Sequence, residues 1–444
     1  MDFLIGIHPV DTIFAISSGL LPSGVAVIRL SGPHVVNVVK TLCGYLPKAR
    51  FMHYGNLTAR DGSFLDSALT VFFPAPHSFT GEDCAEFHLH GGKAVVNRFL
   101  DELSTFTGCR IAEAGEFSRR AFIEGKLDLV QAEGLADLIE AETESQRRLA
   151  VMSTSGRLTT LYRDWRHKLI KARAFIEAEL DFSDEADIPN SISDEVWKDM
   201  EEFCTSLRNH IAEGERASIL RDGLKIVIAG APNSGKSSIM NRLAGRPVAI
   251  VTEEAGTTRD ALEMRLVFCG LPVFVTDTAG FRETENKIEQ LGIEVARQHV
   301  KDADLVILVY DMLNPEEIEL PKTSAEIWRI GNKLDLYEKN EKHWSIQFSA
   351  ITGLNFDYFI KELESFCLRR AAEIGNLVPA RKRQLQLLKE ALKEIEFSIN
   401  HHTLDLSLRA EHLRRASDFL GRITGDIDVE DLLDIIFSEF CVGK

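Results

Sequence analysis

One short motif constrains the fold of this chain more than any other feature. Residues 230–237 read Gly-Ala-Pro-Asn-Ser-Gly-Lys-Ser and fit the pattern G-x-x-x-x-G-K-[ST]. The apolar run 224–229 before the motif predicts a β-strand, and 238–243 after it reads as a helix. A glycine-rich loop between a strand and a helix is where backbone N–H groups converge on phosphate. The sequence therefore predicts an α/β domain with a P-loop that binds a nucleotide.

The polar side chains of the motif have distinct expected roles. Lys236 reaches the β- and γ-phosphate oxygens, and the hydroxyl of Ser237 is placed to bind Mg²⁺. The residues that we assign to the phosphates are Asn233, Ser234, Gly235, Lys236, Ser237 and Ser238.

A second motif predicts which base is bound. Asn332, Lys333 and Asp335 fit the pattern N-K-x-D. Asp335 would accept hydrogen bonds from the ring N–H and the exocyclic amine of guanine. Adenine lacks these donors and would leave the carboxylate buried and unpaired, so we expect GTP rather than ATP. Ser349 and Ala350 resemble the segment through which guanine-specific GTPases make a backbone contact to guanine O6.

Two further segments are expected to sense the γ-phosphate. The apolar run 271–276 predicts a strand whose carboxyl edge carries Asp277, next to a magnesium-bound water. Upstream, 256–260 reads Gly-Thr-Thr-Arg-Asp, in which Thr258 can complete the magnesium shell only when GTP is bound. The segment assigned to the γ-phosphate is Asp277, Thr278, Ala279 and Gly280.

The residue after this segment is not the catalytic side chain that many GTPases have at this position. Ras-like switches have a glutamine there to orient the attacking water, whereas this chain has Phe281, whose ring cannot do so. A carboxylate elsewhere on the loop or a monovalent cation could supply the missing function. Asn233 favours the cation, because its amide oxygen could help to coordinate K⁺ beside the β- and γ-phosphates. Backbone carbonyls of a nearby segment would complete the shell: Thr252, Glu253, Glu254, Ala255, Gly256 and Thr257.

Segments outside the P-loop region carry a family resemblance. They are 78–83 (Ser-Phe-Thr-Gly-Glu-Asp), 90–92 (His-Gly-Gly), 115–122, 125–129 and the terminal 440–444 (Phe-Cys-Val-Gly-Lys). With these segments, the chain resembles the MnmE (TrmE) family of tRNA modification GTPases over nearly its whole length. The resemblance implies an N-terminal α/β folate-binding domain and an all-helical domain interrupted by a Ras-like P-loop G domain.

Hydrophobic periodicity agrees with the fold that the resemblance implies. Short strands are expected at 24–30, 68–73 and 84–89, with a helix at 93–106. Apolar residues then recur at helical spacing from 127 to 220 and again from 380 to 440. The expected domains are 1–120 for tetrahydrofolate binding and dimerisation, 121–220 and 371–444 for the two halves of the helical domain, and 221–370 for the inserted GTPase domain.

The resemblance also implies where cofactors bind. The 5-formyltetrahydrofolate contacts of the family fall on Arg29, Glu86, Lys126 and Lys444. Its Mg²⁺ ligands fall on Ser237 and Thr258. Its K⁺ ligands fall on Asn233, Thr252, Glu254 (through the backbone carbonyl) and Thr257.

Three residues are candidates for catalytic roles. The general base of the family, which acts through a bridging water after two G domains pair, falls on Glu289. By its position alone, Glu289 could instead favour the start of a helix. Arg282 could stabilise the switch or lie in solvent. Cys441 could be a nucleophile or a structural thiol, since a nucleophile needs a lowered pKa that sequence cannot show.

Composition limits the partners of this chain. Its net charge of −17, from 68 acidic and 51 basic residues, argues against a broad electrostatic surface for RNA. A tRNA contact must therefore be local or shared with a partner. The resemblance implies that this partner is the FAD-dependent protein MnmG and that the chain forms a homodimer.

Cysteines, histidines and apolar runs indicate no metal framework or membrane segment. The 7 cysteines are spread along the chain without a C-x-x-C pair. His88 and His90 alternate along a predicted strand, and we expect satisfied strand histidines rather than a metal pair, because no third ligand is near. Since no apolar run is long enough to span a bilayer, we expect a cytosolic protein.

Two functions remain open from sequence. The first is a potassium-stimulated GTPase that, with MnmG, modifies the wobble uridine of certain tRNAs using a tetrahydrofolate one-carbon unit. The second is a GTP-dependent assembly switch for ribosomes or another RNA particle. The folate-type residues Arg29, Glu86 and Lys126 favour the first function.

Overall fold

A computed structural model describes residues 11–181, 192–245, 263–277, 287–337, 344–370, 377–401, 403–427, 430–438, 440, 442 and 443. The chain forms two compact units. The first unit contains Met1–Ala136, Thr154–His167 and Ser417–Lys444, and the second contains Asp137–Ser153 and Lys168–Ala416. Each unit is described by itself below.

A six-stranded sheet forms the centre of the first unit. Its strands are β1 (Thr12–Ile16), β2 (Ser23–Ser31), β3 (His53–Thr58), β4 (Phe64–Phe73), β5 (Cys84–Gly91) and β6 (Cys109–Ile111), in the order β3-β4-β5-β2-β1-β6. All neighbours are antiparallel except β1 and β6, which are parallel. Alternate residues of β2 and β5 are buried and partly exposed, as expected for a sheet whose two faces differ.

Two helices cover one face of this sheet. They are α1 (Val35–Cys43) and α2 (Lys93–Ser104), which pack on Phe14, Ile28 and Phe87. The buried residues of α1 are Val35, Val38, Val39 and Leu42, which is the spacing of a single helical face. The opposite sheet face, at Ile13 and Ala15, packs on Phe117 of α3 (Glu116–Ile123).

Arg120 of α3 holds several carboxylates together in the first unit. Its side chain is 5% exposed and lies 2.9 Å from both Asp11 and Glu116 and 3.2 Å from Glu82. Glu82 also accepts a hydrogen bond from the hydroxyl of Ser31 at 2.5 Å. The segment 78–83 is thereby fixed against α3 and the end of β2.

Six helices of 11 or more residues lie in the described part of the helical region. They are α4 (Leu129–Glu140), α5 (Glu144–Thr154), α6 (Arg157–Asp181), α7 (Ile192–Asp222), and, after the second sheet, α11 (Lys382–Asn400) and α12 (Leu406–Thr424). The last helix, α13 (Glu430–Ser438), packs on α4 through Phe437 and Leu129. In the second unit, α11 packs along α7, where a Cβ atom on Gly214 would lie 2.7 Å from the side chain of Leu385.

A second six-stranded sheet lies in the second unit. Its strands are β7 (Leu224–Gly230), β8 (Glu263–Phe268), β9 (Leu271–Asp277), β10 (Leu305–Asp311), β11 (Glu326–Asn332) and β12 (Ile346–Gln347), in the order β12-β11-β10-β7-β9-β8. All pairs are parallel except β8 with β9. The helices α8 (Lys236–Ala244) and α10 (Phe356–Arg370) pack on one face, and α9 (Lys287–Asp302) packs on the other.

The expected strands are confirmed where the chain is described. The runs 24–30, 68–73 and 84–89 lie in β2, β4 and β5, and the runs 224–229 and 271–276 lie in β7 and β9. The expected helix at 93–106 ends earlier, at Ser104. The described helices lack the combination of length and apolarity that crossing a membrane requires.

Candidate functional site

The loop between β7 and α8 has the conformation that the P-loop motif predicts. β7 ends at Gly230, and Gly235 caps α8 with a φ of 99°, a left-handed value that favours glycine. A Cβ atom on Gly235 would also lie 2.1 Å from Nδ2 of Asn332, so a larger residue does not fit. The N-terminus of α8 therefore follows the loop directly, with Ser237 exposed in its first turn.

Asn332 joins three parts of the predicted nucleotide site. Its amide nitrogen donates to the carbonyl of Ser234 at 2.9 Å, and its amide oxygen accepts from the N–H of Ala350 at 3.0 Å. The side chain is almost fully buried. The P-loop, the N-K-x-D segment and the Ser349-Ala350 segment thus meet at one amide group.

The strand ends of the second sheet bring polar groups to a single edge. Gly230 of β7 pairs with β10, Asp277 of β9 pairs with β7, and Asp311 of β10 pairs with Asn332 of β11. These four residues end parallel strands, so they share the carboxyl edge of the sheet, where α/β proteins bind ligands.

Lys236 is buried at this edge, and Asp277 beside it is half-buried. The Lys236 amine donates to the carbonyls of Gly230 at 2.9 Å and Ala231 at 3.1 Å. Burial lowers the pKa of Lys236, although Asp277 acts against this shift. Burial likewise raises the pKa of Asp277, which Lys236 opposes. Oδ1 of Asp277 and Oγ of Ser234 are buried without a hydrogen-bond partner among the described residues, as expected where a ligand supplies one.

The base side of the site is less enclosed. Lys333 has a φ of 70°, and its amine contacts Asp311 at 2.5 Å. Its neighbour Leu334 donates from its N–H to the carbonyl of Phe348 at 3.2 Å. The side chain of Asp335 is exposed at this end of the sheet.

Arg242 of α8 fixes the segment after Ala350. Its guanidinium donates to the carbonyls of Ala350 at 3.0 Å and Ile351 at 3.1 Å, and it lies 5.4 Å from the ring centre of Phe356. A Cβ atom on Gly353, whose φ is 87°, would lie 2.1 Å from this guanidinium. Arg242 therefore ties the base side to the helix that follows the P-loop.

Two expected folate residues form a pair on the sheet of the first unit. Arg29 of β2 and Glu86 of β5 are direct register partners. Nε and Nη2 of Arg29 both donate to Oε1 of Glu86, at 3.1 and 3.0 Å. The Arg29 guanidinium lies 5.2 Å from the ring centre of Phe79 and 5.9 Å from that of Phe117.

Lys126 is exposed beside the segment that carries Phe79. Its Cε would lie 3.1 Å from a Cβ atom on Gly81, which has a φ of 89°. Its N–H donates to the carbonyl of Ala121 at 2.8 Å. The amine is therefore carried on a turn that packs against the segment 78–83.

The C-terminal tail docks on β1. Val442 forms a bridge with Ala114, and the carbonyl of Gly443 accepts from the hydroxyl of Ser17 at 2.9 Å. A Cβ atom on Gly443, whose φ is 95°, would lie 2.1 Å from the carbonyl oxygen of Ile16. This approach brings Gly443 to β1, the strand next to Arg29, because Ala15 of β1 is the register partner of Arg29.

The two strand histidines differ from each other. Nδ1 of His90 hydrogen-bonds with Asp66 at 2.8 Å, as expected for a satisfied strand histidine. Nε2 of His88 is buried and has no hydrogen-bond partner among the described residues, so that expectation is wrong for His88. The nearest acidic oxygen, Oε2 of Glu86, lies 3.5 Å away.

Several expected site residues lie outside the described part of the chain. They are Thr252, Glu253, Glu254, Ala255, Gly256, Thr257, Thr258, Thr278, Ala279, Gly280, Arg282, Cys441 and Lys444. Glu289 lies in α9, and only its backbone is described.

Sequence reasoning missed three contributors to these sites. Asp311 had a usable signal, since it ends an apolar run and so falls at the carboxyl edge of the sheet. Arg242 and Phe117 had none, because their roles depend on contacts with distant segments.

Comparison with known protein families covers most of the chain. A family model described as the N-terminus of the GTP-binding protein TrmE matches residues 12–126. A second model, described as the MnmE helical domain, matches residues 129–441.

Curated relatives match nearly the whole length of the chain. A protein of Bartonella tribocorum named tRNA modification GTPase MnmE is 88% identical over 434 residues, which are 98% of this chain and 100% of the relative. The protein of the same name from Bartonella henselae is 87% identical with the same coverage. The protein of that name from Brucella anthropi is 55% identical and covers 98% of both chains.

Proposed function

Because this chain belongs to the MnmE (TrmE) family, we propose that it is a GTPase that works in tRNA modification. One observation of the structure carries the nucleotide part of this proposal. The amide of Asn332 bonds both the P-loop carbonyl of Ser234 and the N–H of Ala350, so the phosphate side and the base side form one site. Asp335 then selects guanine by accepting hydrogen bonds from the ring N–H and the exocyclic amine of the base.

We propose Mg²⁺ and K⁺ as the metal ions of this site. Mg²⁺ would be held by Ser237 and Thr258, and K⁺ by Asn233, Thr252, Glu254 and Thr257. The buried, unpartnered oxygens of Ser234 and Asp277 support an arrangement in which ligand and metal-bound water complete the hydrogen bonding. When bound, these cations offset the negative charge that develops on the phosphate oxygens.

Three residues of the chain would act in hydrolysis and modification. Glu289 would accept a proton from the attacking water through a second water, and Arg282 would hold the switch segment in place. Because Phe281 cannot orient water, we propose that Glu289 comes into position only when the G domains of a homodimer pair. For Cys441 we propose a role in the modification step, at the C-terminal tail that Gly443 fixes on β1.

The Arg29–Glu86 pair is the proposed tetrahydrofolate site. Lys126 and the terminal Lys444 would bind the same ligand, and aromatic rings flank the Arg29 guanidinium. With the FAD-dependent partner MnmG, the chain would use a one-carbon unit of this folate to build a 5-carboxymethylaminomethyl-type group on the wobble uridine of tRNA. The domain limits that go with this function are the ones proposed from sequence, 1–120, 121–220, 221–370 and 371–444.

A direct experiment separates this function from an assembly switch. The full-length protein is titrated with 5-formyltetrahydrofolate, and the same preparation is assayed for GTP hydrolysis. We expect both binding and hydrolysis, because an assembly switch needs no folate site. Hydrolysis without folate binding would favour the assembly switch.

A second assay tests the modification itself. The protein, MnmG, tRNA and GTP are incubated with the folate and glycine or ammonium, and the tRNA nucleosides are measured by mass spectrometry. We expect modified wobble uridine with the wild type and none with Lys236→Ala, which lacks the amine that reaches the phosphates. Equal modification by both proteins would show that GTP binding at the P-loop is not needed.

A further inference from the structure

Glu86 and His88 lie side by side on the face of the first sheet that also carries Ala15 and Arg29. They are two positions apart on β5, so their side chains point to the same face. Glu86 lies between Arg29 of β2 and Val71 of β4, and His88 lies between Val27 and Leu69 on the same strands. The only charged neighbour of Glu86 in this register is therefore Arg29, and the neighbours of His88 are apolar.

Arg29 leaves one oxygen of Glu86 available. Both hydrogen bonds from Arg29 go to Oε1, at 3.0 and 3.1 Å. The second oxygen, Oε2, faces Nε2 of His88 at 3.5 Å. Among the described residues, this nitrogen has no hydrogen-bond partner although it is buried. An unpaired buried polar atom costs free energy, and a bound ligand is one way to satisfy it.

The surroundings favour a flat heterocycle as that ligand. The Arg29 guanidinium lies over Phe79 and Phe117, at 5.2 and 5.9 Å from their ring centres. A planar ring can stack on such groups while its edge meets Glu86 and His88. These two side chains offer one acceptor, Oε2, next to one nitrogen that can donate.

We propose that Glu86 and His88 together bind the lactam edge of a pterin ring. A lactam edge presents an N–H donor next to a carbonyl acceptor. Oε2 of Glu86 accepts from the ring N–H, and Nε2–H of His88 donates to the adjacent carbonyl at C4. The inference rests on the proposed tetrahydrofolate function, and it makes His88 the residue that distinguishes a 4-oxo from a 4-amino ring.

The chemistry predicts a selectivity that a purely structural histidine would not give. Replacing the C4 oxygen by an amino group turns the acceptor into a donor that faces the His88 N–H. It also turns the ring N–H into an acceptor that faces the Glu86 carboxylate. Both contacts are lost at once, so the 4-amino ligand binds more weakly to the wild type.

The test compares two ligands that differ only at C4. They are 5-formyltetrahydrofolate and 5-formyltetrahydroaminopterin, and their dissociation constants are measured by calorimetry with the full-length protein. The variants are His88→Leu, which removes the donor, and His88→Gln, which keeps an N–H donor. His90→Leu is the matched control, because the His90 ring is exposed on the same strand and already bonded to Asp66.

We expect the wild type and His90→Leu to prefer the 4-oxo ligand by tenfold or more. His88→Leu loses about tenfold in affinity for the 4-oxo ligand and most of the preference, while His88→Gln keeps most of both. The ratio of the two constants does not depend on the fraction of protein that is folded. A wild-type ratio in His88→Leu would overturn the role of His88. Failure of the wild type to bind either ligand would instead overturn the proposed folate site.

Discussion

At the scale of single residues, the nucleotide site depends on side chains that satisfy buried backbone groups. Asn332 bonds the carbonyl of Ser234 and the N–H of Ala350, and Arg242 bonds the carbonyls of Ala350 and Ile351. Each bond joins segments far apart in sequence. These few side chains therefore hold the segments of the nucleotide site together.

Replacing Asn332 tests this view of the site. In Asn332→Ala, the buried carbonyl of Ser234 and the N–H of Ala350 lose their partner, which costs about 1–3 kcal/mol. We expect GTP affinity to fall by roughly ten- to a hundredfold, measured with a fluorescent GTP analogue. The control is Asn241→Ala on α8, whose side chain is exposed, and its affinity should match the wild type. Wild-type affinity in Asn332→Ala would contradict the bridging role.

Replacing Asp335 tests the choice of base. In Asp335→Asn, an amide faces the donors of guanine, and it can instead donate to the extra carbonyl of xanthine. We expect binding to shift from GTP toward xanthosine triphosphate, measured as the ratio of the two dissociation constants. ATP is the control ligand and should gain no affinity. An unchanged preference for guanine would reject the assignment of Asp335.

At the scale of elements, the sequence predicts what depends on short-range patterns and does not predict what depends on tertiary contacts. The strands β7 and β9 follow from apolar runs, and the P-loop follows from its glycines, because these signals are local. The two hydrogen bonds of the Asn332 amide, and the hydrogen bond from Arg242 to the carbonyl of Ala350, join segments that come together only on folding. The same is true of His88, whose unpaired nitrogen no strand pattern reveals.

Arg120 provides an element-scale test of the first unit. In Arg120→Met, the partly buried carboxylates of Glu82 and Glu116 lose a buried cation, and we expect the free energy of unfolding of this unit to fall by about 3 kcal/mol. The control is Arg119→Met, because Arg119 and its partner Asp434 are both exposed and such a pair contributes less than about 1 kcal/mol. Denaturant unfolding measures both. An equal loss of unfolding free energy in the two variants would show that burial of the Arg120 network does not contribute to stability.

The same network gives a pH dependence. Burial alone would raise the pKa of Glu116 and Asp11, but Arg110 and Arg120 outweigh it and lower both pKa values. A carboxylate with a lowered pKa stabilises the folded state above its ordinary pKa, and this contribution is lost as the pH falls. The stability difference between the wild type and Arg120→Met should therefore shrink as the pH falls below 4.5, the ordinary value for Glu116.

At the scale of the whole molecule, the proposed activity requires more than one chain. Phe281 stands where Ras-like switches have the glutamine that orients water, and in the proposed mechanism a paired G domain and K⁺ take over the function of that glutamine. The acidic surplus, a net charge of −17, also suits a chain that shares its tRNA contacts with a partner.

Glu289 is the residue that links pairing to hydrolysis in this account. In Glu289→Ala, GTP affinity should stay close to that of the wild type, because Glu289 lies on α9 and outside the P-loop and base motifs. Turnover in potassium buffer should fall by about a hundredfold or more, as expected for loss of a general base. Glu294→Ala, an exposed glutamate on the same helix, is the control and should keep wild-type turnover. Unchanged turnover in Glu289→Ala would mean that another group is the base.

The most direct test is GTP hydrolysis by the wild type in potassium and in sodium buffer across a range of protein concentrations. We expect turnover per chain to rise with protein concentration in potassium and to stay at least about tenfold lower in sodium, because in the proposed mechanism K⁺ binds where the G domains pair and stabilises the transition state. Fast turnover in sodium that does not change with protein concentration would contradict the account.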